Sequence, residues 1–142
     1  STSLEELDKI FKNDSIEKFP KDADIIRGYR VYGQDGKKSL EILTHVENDS
    51  IKGLELVKIY SDLYITAKGV STKSTYKDVA DNYSIDKIET SFTAAILFVD
   101  ELNATILLNK SDLNLDEFDM REIRADQIPD EANINYISLW FE

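Results

Sequence analysis

Two apolar runs, Ala94-Ala95-Ile96-Leu97-Phe98-Val99 and Ala104-Thr105-Ile106-Leu107-Leu108, flank the short connection Asp100-Glu101-Leu102-Asn103. This pairing constrains the fold more than any other feature of the chain. Each run has the length of a strand, and a brief, mainly polar break between two such runs predicts a hairpin. Because the runs are continuously apolar rather than alternating, they are expected to be central strands covered on both faces.

Reading outward from this hairpin gives more extended segments. Ile25, Tyr29 and Val31 are followed by a break at Gln34-Asp35-Gly36, then by Leu40, Ile42 and Leu43. Asp-Gly between extended runs favours a tight hairpin, since Gly accepts the positive φ such turns require. After Glu47-Asn48-Asp49-Ser50 comes a third run, Ile51 to Tyr60, with a short extended piece at Leu63 to Ala67. Successive strands joined by short turns predict an antiparallel meander. A final strand is expected over 134–141, where an apolar edge would have to be paired.

Helical spacing is confined to short stretches. Leu4, Leu7, Ile10 and Phe11 share one helical side, and Ser3 with Glu6 resembles a capping box. Residues 13–24, which include Pro20, read as a polar connection. Tyr76, Val79, Ala80 and Tyr83 predict a helix capped by Ser74 or Thr75. Leu115 to Ile123 predicts another, with Phe118 and Met120 partly buried, and Ile128-Pro129-Asp130-Glu131 a turn. The expected class is therefore α+β: a mainly antiparallel sheet, made of a meander, a hairpin and a C-terminal strand, with two or three short helices. One domain over residues 1–142 is expected, since no linker or repeat divides the chain.

Composition narrows function mostly by exclusion. The chain holds 17 basic and 28 acidic residues for a net charge of −11, a field that repels nucleic acid and anionic membranes. No nucleic acid partner is expected. Such charge keeps a domain soluble, and it also suits a basic protein partner. No Cys occurs, which removes disulfides, thiolate metal sites and cysteine nucleophiles. No stretch has the ~20 apolar residues that a membrane-spanning helix needs.

Candidate chemistry is sparse. His45, the one histidine, lies in the strand predicted over Leu40 to Val46, where an ordinary strand residue accounts for it better than a catalytic base. Asp112, Asn114 and Asp116 have the alternating oxygen spacing of a calcium loop. Glu117 occupies the position that needs Gly, however, and Ile123 the position of the closing Glu, so helix capping by Asp112 or Asn114 competes with metal binding. Gly69 to Thr75 loosely resembles a phosphate loop but has one Gly and no Gly-Lys pair. Asn-x-Ser/Thr triplets begin at Asn13, Asn48, Asn82, Asn103 and Asn109, where turn propensity explains the clustering. The tyrosines, Trp140 and Phe141 would anchor an interface if exposed but are expected mainly in the core. No catalytic residue, cofactor or metal is expected, and no binding residue stands out.

The segment Tyr64-Ile65-Thr66-Ala67-Lys68-Gly69-Val70-Ser71-Thr72-Lys73-Ser74-Thr75-Tyr76-Lys77-Asp78-Val79, followed by Tyr83, resembles a pattern of small bacterial envelope lipoproteins. Residues Ile128 to Trp140 resemble later extended segments of the same family. The resemblance covers about half the chain, carries no catalytic residue, and implies a non-enzymatic binding or assembly module. It implies a periplasmic or envelope location and a lipid anchor on a cysteine upstream of residue 1, with a cytoplasmic location as the alternative. The competing expectation is an acidic immunity or inhibitor protein that masks a basic toxin.

Overall fold

The computed structural model describes residues 15–22, 26–48 and 50–141. The helix expected near Ser3–Phe11 lies outside them. Among the described residues the protein is dominated by antiparallel strands and contains one α-helix, not two or three, together with a few short 3-10 turns. Its strands are β1 (Ser15–Asp22), β2 (Ile26–Tyr32), β3 (Lys38–Glu47), β4 (Ser50–Ile59), β5 (Lys87–Thr90), β6 (Ala94–Val99), β7 (Ala104–Asn109) and β8 (Tyr136–Trp140). The helix, α1, spans Tyr76–Asn82. The chain divides into two compact units, Ser1–Ile59 with Trp140–Glu142, and Tyr60–Leu139.

In the first unit β1 to β4 pair in sequence order. The Asp-Gly break turns as expected: Gly36 sits at φ +78° and donates to Gly33 O at 3.0 Å, and Gly33 N donates to Lys37 O at 2.9 Å. Strand β3 buries Leu40, Ile42, Thr44 and Val46 at every second position and Leu43 in the opposite phase, and the register shift after Leu43 leaves the extra residue, Glu55, on β4. The unit's core gathers Tyr29, Val31, Leu40, Ile42, Leu56 and Ile59.

Within the polar connection expected over 13–24, Ser15–Asp22 form strand β1 instead. Pro20 sits there without disrupting a central ladder, because β1 is an edge strand and its register shifts between Pro20 and Asp22. Phe19 faces Gly28 across the pair, and its ring occupies the space that a Cβ at position 28 would need. Arg30 lies 4.0 Å over the same ring, a cation–π contact that covers its outer side.

In the second unit the strands pair in the order β8-β7-β6-β5. The hairpin is in the expected place, with Ile96 opposite Leu107 and Leu97 opposite Ile106. Its tip is a 3-10 turn, Asp100–Leu102, closed by Asn103 at φ +48°, a conformation that Asn tolerates better than most side chains. The two faces differ: Ala95, Leu97, Val99, Ala104, Ile106 and Leu108 are fully buried, whereas Ile96, Phe98, Thr105 and Leu107 are half-buried. The extended piece expected at Leu63 to Ala67 is a loop with Leu63 and Ile65 exposed.

Helix α1 is capped by Thr75, whose Oγ1 accepts from Asp78 N at 3.3 Å while Asp78 Oδ2 accepts from Thr75 N at 2.9 Å. Two further amides of the first turn, Tyr76 N and Lys77 N, donate to Ala132 O and Asp130 O at 2.9 Å. The turn at 129–132 thus completes a helix start that would otherwise leave donors without partners. Thr75→Ala is expected to cost about 1 kcal/mol, and Thr75→Ser to recover most of it, as read from urea denaturation of the purified protein.

Candidate functional site

The segment from Lys110 to Gln127 departs most from the sequence reading. The helix expected over Leu115 to Ile123 is absent: a 3-10 turn, Lys110–Leu113, ends at Asn114 with φ +55°, and Phe118 takes φ +67°. Side chains of this acidic stretch compete with helical hydrogen bonding. Asp119 Oδ1 accepts from Arg121 N at 3.1 Å, a local bond that favours a bend over another helical turn.

Three backbone-directed bonds instead fasten the segment to residues 90–93. Thr90 Oγ1 donates to Arg121 O at 3.2 Å, Phe118 N to Phe92 O at 2.9 Å, and Lys110 N to Thr93 O at 2.9 Å. Phe118 is consequently 72% exposed and Met120 52% exposed, contrary to the partial burial expected of them. Phe92, 60% exposed, meets Phe118 with ring centroids 5.7 Å apart and planes tilted by 54°. A left-handed conformation at a bulky residue is unfavourable by about 1–2 kcal/mol, so the outward placement of this ring is held against a local backbone preference. Asp116, Glu117 and Glu122, all exposed, are its chain neighbours.

Beneath this stretch is a hollow of about 240 Å³ lined by Lys110, Leu115, Asp119, Arg121, Glu122, Ile123, Arg124 and Gln127. Lys110 is 1% exposed. Its Nζ donates to Asp119 O at 2.5 Å. Arg121 holds the Asp119 carboxylate through Nη2 at 2.6 Å and Nε at 3.0 and 3.1 Å. Those side-chain bonds, the Arg121 backbone donor and the charge of Lys110 keep the Asp119 carboxyl at a pKa of about 2, while Asp119 pushes the Arg121 guanidinium up.

Lys110 was not conspicuous as a candidate in the sequence, although strand phase marks it. Ala104, Ile106 and Leu108 point inward at every second position, and Lys110 continues the series just beyond the end of β7. Phe118 carries no comparable local signal, because its exposure depends on contacts with residues 90–93.

The remaining candidates are dispersed. Asp112, Asn114 and Asp116 are exposed, and Asn114 ends the 3-10 turn rather than capping a following helix. Among the described residues no group of three or more His, Asp or Glu is placed to hold a metal. His45 is an exposed residue of β3. At Gly69 to Thr75 the amides are spent locally. Gly69 N donates to Thr66 O, Val70 N to Thr66 Oγ1, Ser71 N to Ser74 Oγ, Lys73 N to Ser71 Oγ and Thr75 N to Asp78 Oδ2, leaving no cradle of free donors at these positions. Thr66 also accepts from Tyr83 Oη at 2.8 Å, so the recognisable pattern between Tyr64 and Tyr83 is bound together internally. The aromatics divide between core and surface: Tyr29, Tyr76 and Tyr83 are buried, whereas Tyr64, Trp140 and Phe141 are exposed.

Among the described residues, no helix is long and apolar enough to cross a membrane. No protein-family model and no curated protein matches the chain. A solved structure, that of the uncharacterized protein yfeY from Escherichia coli, is similar at a TM-score of 0.55 and 10% identity, over 90% of this chain and 81% of that one; at this identity the likeness concerns the fold alone.

Proposed function

We propose that the protein is a non-enzymatic binding module whose contact surface centres on Phe92, Phe118 and Met120, and that its partner is a basic protein. The observation that carries the reading is the exposed Phe92–Phe118 pair, with Phe118 held at φ +67°. Exposed aromatic and Met side chains are typical anchors of protein interfaces. The acidic neighbours Asp116, Glu117 and Glu122 and the net charge of −11 favour a partner of opposite sign.

The module is further proposed to act at the bacterial envelope, held in its full-length form by a lipid upstream of residue 1. Support for that part comes from the pattern Tyr64 to Tyr83 and the segment Ile128 to Trp140. A second reading, an acidic inhibitor that masks a basic toxin, draws on the same charged surface and differs in the identity of the partner.

A photo-cross-linking amino acid at position 118, introduced into the full-length protein in intact cells of its native organism, tests the proposal, with position 63 as the exposed control. Position 118 is expected to yield a defined product with a protein of net positive charge, recovered in the envelope fraction, and position 63 is expected not to. Phe118→Gly, which suits the left-handed backbone, is expected to leave the melting temperature unchanged or raised while weakening the identified complex at least tenfold. No product from position 118, an acidic partner, or a complex indifferent to Phe118→Gly would overturn the reading. A basic secreted toxin as the cross-linked species selects the inhibitor reading.

A further inference from the structure

We propose that the hollow lined by residues 110–127 binds a small organic monocarboxylate. Its floor supplies the reason. Lys110 is almost wholly enclosed, its ammonium has three N–H donors, and Asp119 O is its one hydrogen-bond acceptor among the described residues. A buried ammonium is stable only when its charge and donors are compensated. The nearby Asp119 carboxylate is already taken by Arg121, so one anion stands between two cations. Three cationic residues, Lys110, Arg121 and Arg124, line the hollow against two acidic ones, Asp119 and Glu122. Asp126 pairs with Arg124 at 3.1 Å and Asp116 acts on Arg121, so the cation left for a ligand is the enclosed Lys110.

The rest of the lining sets the ligand class. Leu115 and Ile123 offer apolar wall for a short hydrocarbon or aromatic body. The volume of about 240 Å³ is below the roughly 300–1,000 Å³ of drug-sized sites, so the ligand is small. A single enclosed ammonium, with the acidic Asp119 and Glu122 on the same lining, suits a monoanion better than a phosphate dianion. Arg124 can join, because its bond to Asp126 at 3.1 Å links two exposed side chains, and such pairs are weak and readily exchanged.

The inference does not depend on the protein-binding surface, so either reading can fail without the other. Titration of the isotope-labelled protein with benzoate, followed by backbone amide NMR at constant ionic strength, tests it; neutral benzamide and inorganic phosphate serve as comparison probes. Benzoate is expected to give saturable shifts at Lys110, Leu115, Ile123 and Arg124, with a Kd on the order of 1 mM. Lys110→Met is expected to weaken binding at least tenfold. Should that variant fold poorly, two substitutions on the outer wall still read the site with opposite signs: Arg124→Gln weakening and Glu122→Gln tightening the complex severalfold. Absence of saturable shifts, equal response to benzamide, tighter binding of phosphate, or a Kd unmoved by both outer-wall variants would overturn the inference.

Discussion

Ile106→Asp is expected to abolish the cooperative folding of residues 60–139. Ile106 is fully buried in β7, paired with Leu97 of β6 on one side and Ile137 of β8 on the other. Losing the buried side chain alone is worth about 2–5 kcal/mol, and the carboxylate adds the penalty of an unpaired buried charge. A domain's whole stability is roughly 5–15 kcal/mol, so the sum consumes most or all of it. Ile106→Val separates the two contributions, since it removes one methylene for about 0.5–1.5 kcal/mol and should leave the fold intact. Amide hydrogen exchange at Leu97, Ile106 and Leu108 reads the difference: near-complete loss of protection in the Asp variant, and retained protection in the Val variant. Burial raises the pKa of an introduced carboxyl, so the defect should shrink as pH falls and the acid is neutralised in the folded state. Full protection in the Asp variant at neutral pH would show that position 106 is not enclosed.

The same pairs explain why this part of the chain was legible. Segment length, apolar content and a short connection locate β6 and β7 to within a residue of their observed limits, because neighbouring residues alone carry that information. Double coverage of the sheet was harder to read. Apolar side chains at Ile96, Phe98 and Leu107 indicate tolerance of burial, and only the tertiary structure determines that they remain half-buried. Strand β1 is obscured for a related reason: Pro20 argues against a ladder, but an edge strand with a register shift accommodates it.

The candidate site was the least legible region. Leu115, Phe118 and Ile123 approximate helical spacing, yet Asp119 turns its carboxylate back on the Arg121 backbone and Phe118 donates to Phe92 O, both of which oppose a helix. The second of these contacts joins residues 26 positions apart and has no counterpart in a local pattern. Lys110 lies between these extremes. Its phase with Ala104, Ile106 and Leu108 marks the inward position, but the hydrophilic character of lysine masks the signal until the strand's limits are known. The polar residues of 66–75 show the converse, because a segment resembling a ligand loop uses its donors to fasten Thr66, Ser71, Ser74 and Tyr83 together.

Removal of Asn135 to Glu142 is expected to have an effect as large as Ile106→Asp, by a different route. The truncation deletes β8 and with it the partners of Ala104, Thr105, Ile106 and Leu107. It also removes the bonds from Asn135 N to Leu107 O at 2.9 Å and from Asn135 Nδ2 to Asn109 Oδ1 at 3.1 Å. Tyr60 loses the ring of Tyr136, whose centroid lies 5.1 Å away, and the buried side chain of Ile137 is gone. What is left is an apolar strand with an open row of backbone donors and acceptors, a template for pairing between molecules. The expected product is therefore self-associating rather than simply less stable, with raised binding of a hydrophobic dye and a light-scattering signal that grows with protein concentration. Adding a synthetic peptide of residues 134–142 before refolding should suppress that association, since it restores the missing edge in trans. A truncated chain that stays monomeric, unfolds cooperatively and ignores the peptide would show that β7 needs no partner on that side.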